Sequence, residues 1–216
     1  MTRTTRQPNR SSARRLCAAA VGLAALASLA WSAPAAQAGV LVASAGSCPA
    51  TPLSQPFMRW ADPLSYTPVP HGGFERRAAG WSLSQANVVN GNETFYVNEA
   101  NDSKALSLPP GSSATTPTLC AGLDKPVLRF FSRSSSVLLS SLSVEVLFES
   151  STGQVLSLPV GVVLPSSNWQ PTLPLPVLAS LLPLLPGSQT PVAFRFRPIG
   201  PATWTIDDVY IDPRRH

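Results

Sequence analysis

The chain has 216 residues, with 16 basic and 11 acidic side chains and a formal net charge of +5. The excess sits at one end: Arg3, Arg6, Arg10, Arg14 and Arg15 all precede the first acid, and the other 11 basic residues match the 11 acids. A neutral body gives phosphates no electrostatic track, so charge argues against a nucleic-acid partner.

Residues 1–38 read as a secretory signal peptide. The five arginines form its basic start, an apolar run follows from Leu16 to Trp31, and Ala36-Gln37-Ala38 supplies the small residues of a cleavage site before Gly39. A membrane span needs about 20 apolar residues, and this run is shorter and soon meets Pro34. The expected product is therefore secreted, with no transmembrane anchor after cleavage. Cleavage removes Cys17 and leaves Cys48 and Cys120. An even count in an oxidising compartment predicts a Cys48–Cys120 disulfide.

Gly39 to Pro70 is rich in proline and poor in strand patterns, which predicts an extended N-terminal arm over 39–70, tied down by Cys48 and packed through Phe57, Trp60 and Tyr66. Residues 71–213 form the expected domain. Of 23 prolines only Pro8 and Pro34 lie in the signal; the rest stop helices every few residues. Between them Val144, Val146 and Phe148 alternate with Glu145 and Glu149, and Val192, Phe194 and Phe196 alternate with Arg195 and Arg197. This is the period of half-buried strands. Weaker strand patterns cover Trp81–Val89, Phe95–Asn98, Ala105–Leu108, Val127–Ser132 and Val155–Val163, where Pro159 marks an edge or a bulge. Asn90-Gly91-Asn92 and Ser151-Thr152-Gly153 are turn signals. Many short strands without alternating helices predict an all-β antiparallel sandwich, with the Leu/Pro-rich segment 174–186 as one short helical element.

The sequence carries no G-x-S-x-G, H-E-x-x-H, S-x-x-K or G-x-G-x-x-G motif. Glu145 and Glu149 lie about 13 Å apart along one strand, too far for a glycosidase pair. A binding module is expected, not an enzyme. Trp169, between Asn168 and Gln170 in a polar stretch, is the first candidate to stack on a sugar, and Tyr96 is the second.

Near the end of the body, Trp204 and Ile206 share one strand parity while Val209 and Ile211 share the other. One extra residue at Asp207-Asp208 returns both pairs to the core, which predicts a β-bulge there. A bulge turns an aspartate inward, and a buried carboxylate needs donors or a cation.

This closing motif, with Gly72-Gly73-Phe74-Glu75 and Gly80-Trp81 at the opening, resembles the galactose-binding-like jelly rolls, which include secreted carbohydrate-binding modules. The resemblance implies a jelly roll, a first strand over Gly73–Arg77 beside the last strand Trp204–Asp212, and a structural calcium with Glu75 and Asp207 or Asp208 among its ligands. It also implies a polysaccharide or envelope component as partner. A structural or protein-interaction role through the Leu/Pro segment stands as the alternative.

Overall fold

The computed structural model describes residues 52–121, 126–150, 152–177 and 190–212. The signal segment, Cys48 and most of the Leu/Pro-rich run lie outside the described residues, so cleavage and the disulfide are not read from the structure.

Among the described residues, thirteen strands follow one 3₁₀ turn, Met58–Trp60. They are β1 (Thr67–Pro68), β2 (Ser82–Ser84), β3 (Asn87–Asn90), β4 (Lys104–Leu108), β5 (Ser113–Thr115), β6 (Leu119–Ala121) and β7 (Val127–Ser134). There follow β8 (Ser141–Glu149), β9 (Val155–Val163), β10 (Gln170–Pro171), β11 (Leu175–Pro176), β12 (Thr190–Ile199) and β13 (Trp204–Asp212). All pairings are antiparallel. A seven-stranded sheet runs β10-β7-β13-β4-β3, with β1 on β13 and β11 on β7; a six-stranded sheet runs β2-β5-β12-β8-β9, with β6 on β12. The expected all-β sandwich is what the chain forms.

The two alternating segments are the centre of the six-stranded sheet. β12 pairs with β8 so that Phe194 faces Val146 and Phe196 faces Val144. Those side chains point inward and meet Leu106, Leu128, Phe130, Trp204 and Ile206 of the other sheet in one buried cluster. Arg195 and Arg197 face outward and pair with Glu145. That ion pairing explains Glu145 as a sheet-surface residue. Pro159 lies in β9, an edge strand, beside the register shift opposite Val144 and Glu145.

Within 174–186, Leu175–Pro176 forms a short strand on β7, and the proline-free stretch expected to be helical lies, beyond Val177, outside the described residues. The 3₁₀ turn Met58–Trp60 lies in the arm. Two expectations are corrected. Phe95–Asn98 is a loop, because Glu93 takes the N–H groups of Phe95 and Val97 that a partner strand would need. Gly73–Arg77, expected as a first strand beside the last one, is a run of turns, and β13 pairs with β1, β4 and β7 instead.

The described part of the arm, residues 52–70, packs on the sandwich. It covers the outer face of the seven-stranded sheet, where Phe57, Tyr66, Phe131, Trp169 and Tyr210 form a second buried cluster. Phe57 stacks on Phe131 at 5.5 Å and meets Tyr66 edge-on at 5.1 Å. The sheet is therefore apolar on both faces, and Arg129 is buried between its outer face and the arm.

Candidate functional site

The site forms where the edge of β13 changes partner. Trp204–Ile206 pair with β4, whereas Tyr210 and Ile211 pair with β1. On its other edge β13 pairs Asp207 with Phe131 and Tyr210 with Arg129, so two residues of β13 oppose one of β7. This is the expected bulge, and Asp208 adopts the left-handed conformation within it, φ 47°. Aspartate tolerates that region better than most residues. Val209 and Ile211 are thereby returned to the core.

An open cleft of about 440 Å³ lies at this handover, lined by Pro68–Arg76, Asn98, Glu99, Asp102 and Asp208–Tyr210. Gly72 and Gly73 shape one wall. A side chain on Gly73 would stand 3.0 Å from Asp208 Oδ1 and 3.3 Å from Asn98 Nδ2. A Cβ on Gly72 would meet the carbonyls of Val69 and Val209 at 3.0 Å, in the backbone exchange that brings Val69 and Val209 together.

Each acid at the site has a different fate. Asp207 is sealed: Oδ2 accepts from the Glu93 amide at 3.0 Å and Oδ1 from the Asp208 amide at 2.9 Å. Glu93 is sealed as well, by the amides of Phe95 and Val97. Glu75 is near the surface, and its Oε1 accepts from the amides of Ser103 at 2.5 Å and Lys104 at 2.6 Å. Asp102 Oδ2 accepts from Asn98 Nδ2 and the Glu99 amide. Asp208 stands apart, being 3% exposed with no partner for Oδ2.

Electrostatics follow from this crowding. Burial, then the neighbouring Asp208 charge, pushes the Asp207 carboxyl up to about 9. Burial, then the charges of Glu93, Asp102 and Glu75, pushes Asp208 up to about 7, against the Asn98 amide, which lowers it.

The resemblance implies a calcium with Glu75 and Asp207 or Asp208 among its ligands. The structure brings Glu75 and Asp208 to one cleft but turns Asp207 away into amide contacts. Among the described residues no three Asp, Glu, His or Cys side chains are grouped as a metal-holding set. The orphaned Asp208 oxygen is a hard donor that suits a cation such as calcium; Glu75 and Asp207 already spend oxygens on N–H groups. Of the carboxylates the resemblance implies, Glu75 and Asp208 line one cleft, and only Asp208 has an oxygen without a partner.

The sugar-stacking candidates separate just as clearly. Trp169 is 8% exposed, packs in the arm cluster and has the Arg133 guanidinium over its ring at 5.0 Å. It has no free face, which corrects its expected role; Asn168 and Gln170 are exposed beside it, Gln170 on β10. Tyr96 is 52% exposed in a left-handed backbone conformation, φ 51°, between Phe95 and Val97, which pack toward the arm. Its ring points outward from the loop that also carries Asn98, Glu99 and Asp102. Sequence reasoning missed Glu93, Asn98 and Asp102. Asn90-Gly91-Asn92 reads as a turn and Phe95–Asn98 as a strand, and neither pattern points to a carboxylate cluster.

No family model matches the sequence, and no curated protein matches it. Solved structures similar to it include the enzymatically active domain of bacteriophage CBA120 tailspike protein 4, at 14% identity and TM-score 0.46 over 65% of this chain. The N-terminal CBM22-1–GH10 modules of Clostridium thermocellum xylanase 10B, complexed with xylohexaose, are similar at 12% identity and TM-score 0.49 over 69% of this chain. The chain spans only 20% of the tailspike structure and 29% of the xylanase structure. It spans 96% of TmCBM61 in complex with β-1,4-galactotriose, at 14% identity and TM-score 0.40 over 67% of this chain.

Proposed function

We propose that the chain is a secreted, non-catalytic glycan-binding module whose β3–β4 loop carries the site. The observation that carries this reading is that one loop displays Tyr96 outward and lines the cleft beside Asp208, one of whose carboxylate oxygens has no partner. An exposed aromatic face suits the C–H face of a sugar, and the Asn98 amide with the Asp102, Glu99 and Asp208 carboxylates suits hydroxyls. Calcium at Asp208 would neutralise the crowded acids and fix the loop; backbone carbonyls and water would complete its oxygen shell. Asn168 and Gln170 are a polar margin on another edge and are secondary in this reading.

Catalysis has no support in the described residues. Asp207 is sealed from the cleft, and Glu145 is committed to Arg195 and Arg197. Export belongs to the proposal: the amino terminus of secreted material should be Gly39, and non-reducing mass spectrometry should link Cys48 to Cys120.

A glycan array with the exported protein, xylohexaose and β-1,4-galactotriose among the probes, tests the binding. Retention on any glycan that Tyr96→Ala abolishes without lowering the melting temperature supports the site. Retention unchanged in Tyr96→Ala moves the site elsewhere, and no retention on any probe removes the glycan reading.

A further inference from the structure

One end of the sandwich carries aliphatic side chains that neither core uses. The β7–β8 loop, residues 135–140, presents Val137, Leu138 and Leu139, and the last two are 72% and 91% exposed. Ile199 and Leu164 are each more than half exposed. Register brings them to the same end: Ile199 pairs with Ser141, and Leu142 pairs with Val163, next to Leu164.

The tip is held in shape. Leu139 has a left-handed backbone, φ 49°, a conformation unfavourable for leucine. Gly200, φ 90°, lies under it, and any Cβ there would stand 2.0 Å from the Leu139 carbonyl oxygen. Ser140 Oγ donates to the Ile199 carbonyl, the Ser135 amide donates to the Thr203 carbonyl, and Ser134 Oγ donates to the Ser136 carbonyl. Thus a strained, almost fully exposed leucine is positioned by two interlocked loops, although its exposure contributes nothing to folding.

The surroundings select the partner. Residues 132–144, 162–173 and 196–206 contain no acid and two bases, Arg133 and Arg197. Arg133 lies on β7, two residues before its loop, and Arg197 on β12, two residues before the strand ends at Ile199, where it also faces Glu145 at 3.8 Å. Serines fill the collar. Two such tips from two copies would bring their own arginine collars together.

We propose that this end is a membrane-contacting tip: Leu138 and Leu139, supported by Val137, Ile199 and Leu164, enter the boundary between headgroups and acyl chains of an anionic bilayer, with Arg133 and Arg197 at the headgroups. Aliphatic insertion provides the attachment, and the excess of Arg133, Arg195 and Arg197 over the single acid Glu145 provides the preference for negative lipid.

The test is flotation of protein recovered after export with vesicles of phosphatidylglycerol and phosphatidylcholine in equal amounts, and with phosphatidylcholine alone. The wild type should float with the mixed vesicles. Leu138→Ser with Leu139→Asn, which suits the left-handed position, should weaken partition by about tenfold or more at an unchanged melting temperature. Leu164→Ser with Ile199→Ser repeats the reading if the first pair lowers stability. Arg197→Gln should weaken binding to the mixed vesicles only. A wild type that stays unbound, or binding unaltered in both leucine-tip pairs, overturns the proposal. So does self-association that the tip variants abolish in the absence of any vesicle binding.

Discussion

The guanidinium of Arg129 on β7 and the carboxylate of Asp62 in the arm form an ion pair whose side chains are only 5% and 9% exposed. Arg129 also donates to the Thr172 carbonyl and lies 4.2 Å from the centre of the Phe57 ring. Burial alone raises the Asp62 pKa, but the Tyr66 hydroxyl, the Leu64 amide and Arg129 outweigh it, and the net shift is downward. The arm is fastened to the sheet by this pair as well as by aromatic packing. Asp62→Ala leaves a buried cation without its partner and should cost about 3–5 kcal/mol. Replacing both residues by Leu and Met should cost much less. Urea unfolding of the single and double variants checks the difference; equal losses would show that packing alone holds the arm.

The acids at the bulge give the opposite pH dependence from Asp62. Asp207 and Asp208 have ordinary values of 3.8 and folded values of about 9 and about 7, so each binds its proton more tightly when folded. Their protonated forms stabilise the fold fully below the ordinary value, and this is lost as pH rises through 7 and then 9. In chelator, stability should fall between pH 5 and pH 8 by a few kcal/mol, an order-of-magnitude figure. Asp208→Asn should flatten the lower part of that fall and raise stability at pH 8. Thermal melts across the range decide it; a flat profile for the wild type contradicts the crowding.

Added calcium should raise the melting temperature of the wild type at pH 8 by mass action on the folded state. Asp208→Asn should lose that response, whereas Glu75→Gln should keep most of it, since the Glu75 Oε1 atom is already held by two backbone amides. A response lost equally in both variants would restore Glu75 as a direct ligand.

Trp169 and Tyr96 should exchange the roles their local sequence suggests. Trp169→Ala should cost about 3–5 kcal/mol, as for a large core aromatic. Tyr96→Ala should leave the denaturation midpoint nearly unchanged while removing glycan retention. Chemical denaturation beside affinity electrophoresis separates the two effects.

Gly200→Ala should destabilise strongly, by roughly 2 kcal/mol or more, because its Cβ would collide with the Leu139 carbonyl at an already positive φ. A midpoint unchanged in urea would mean that the two loops are not interlocked.

Local pattern determined much of this protein. The two-residue alternation marked β8 and β12, the parity slip marked the bulge, and proline spacing excluded long helices. Each rests on interactions between neighbours in the chain, so the sequence displays it directly. Tertiary structure decided the rest. Trp169 stands in a polar stretch, yet a sheet face that the arm also covers buries it. Glu93 reads as a loop residue, yet it closes on Phe95 and Val97 and erases a predicted strand. Glu75 and Asp208 lie far apart in sequence and meet only because β13 changes partner from β4 to β1 at the bulge. Burial and charge crowding depend on which distant segments share a surface, and no local period encodes that.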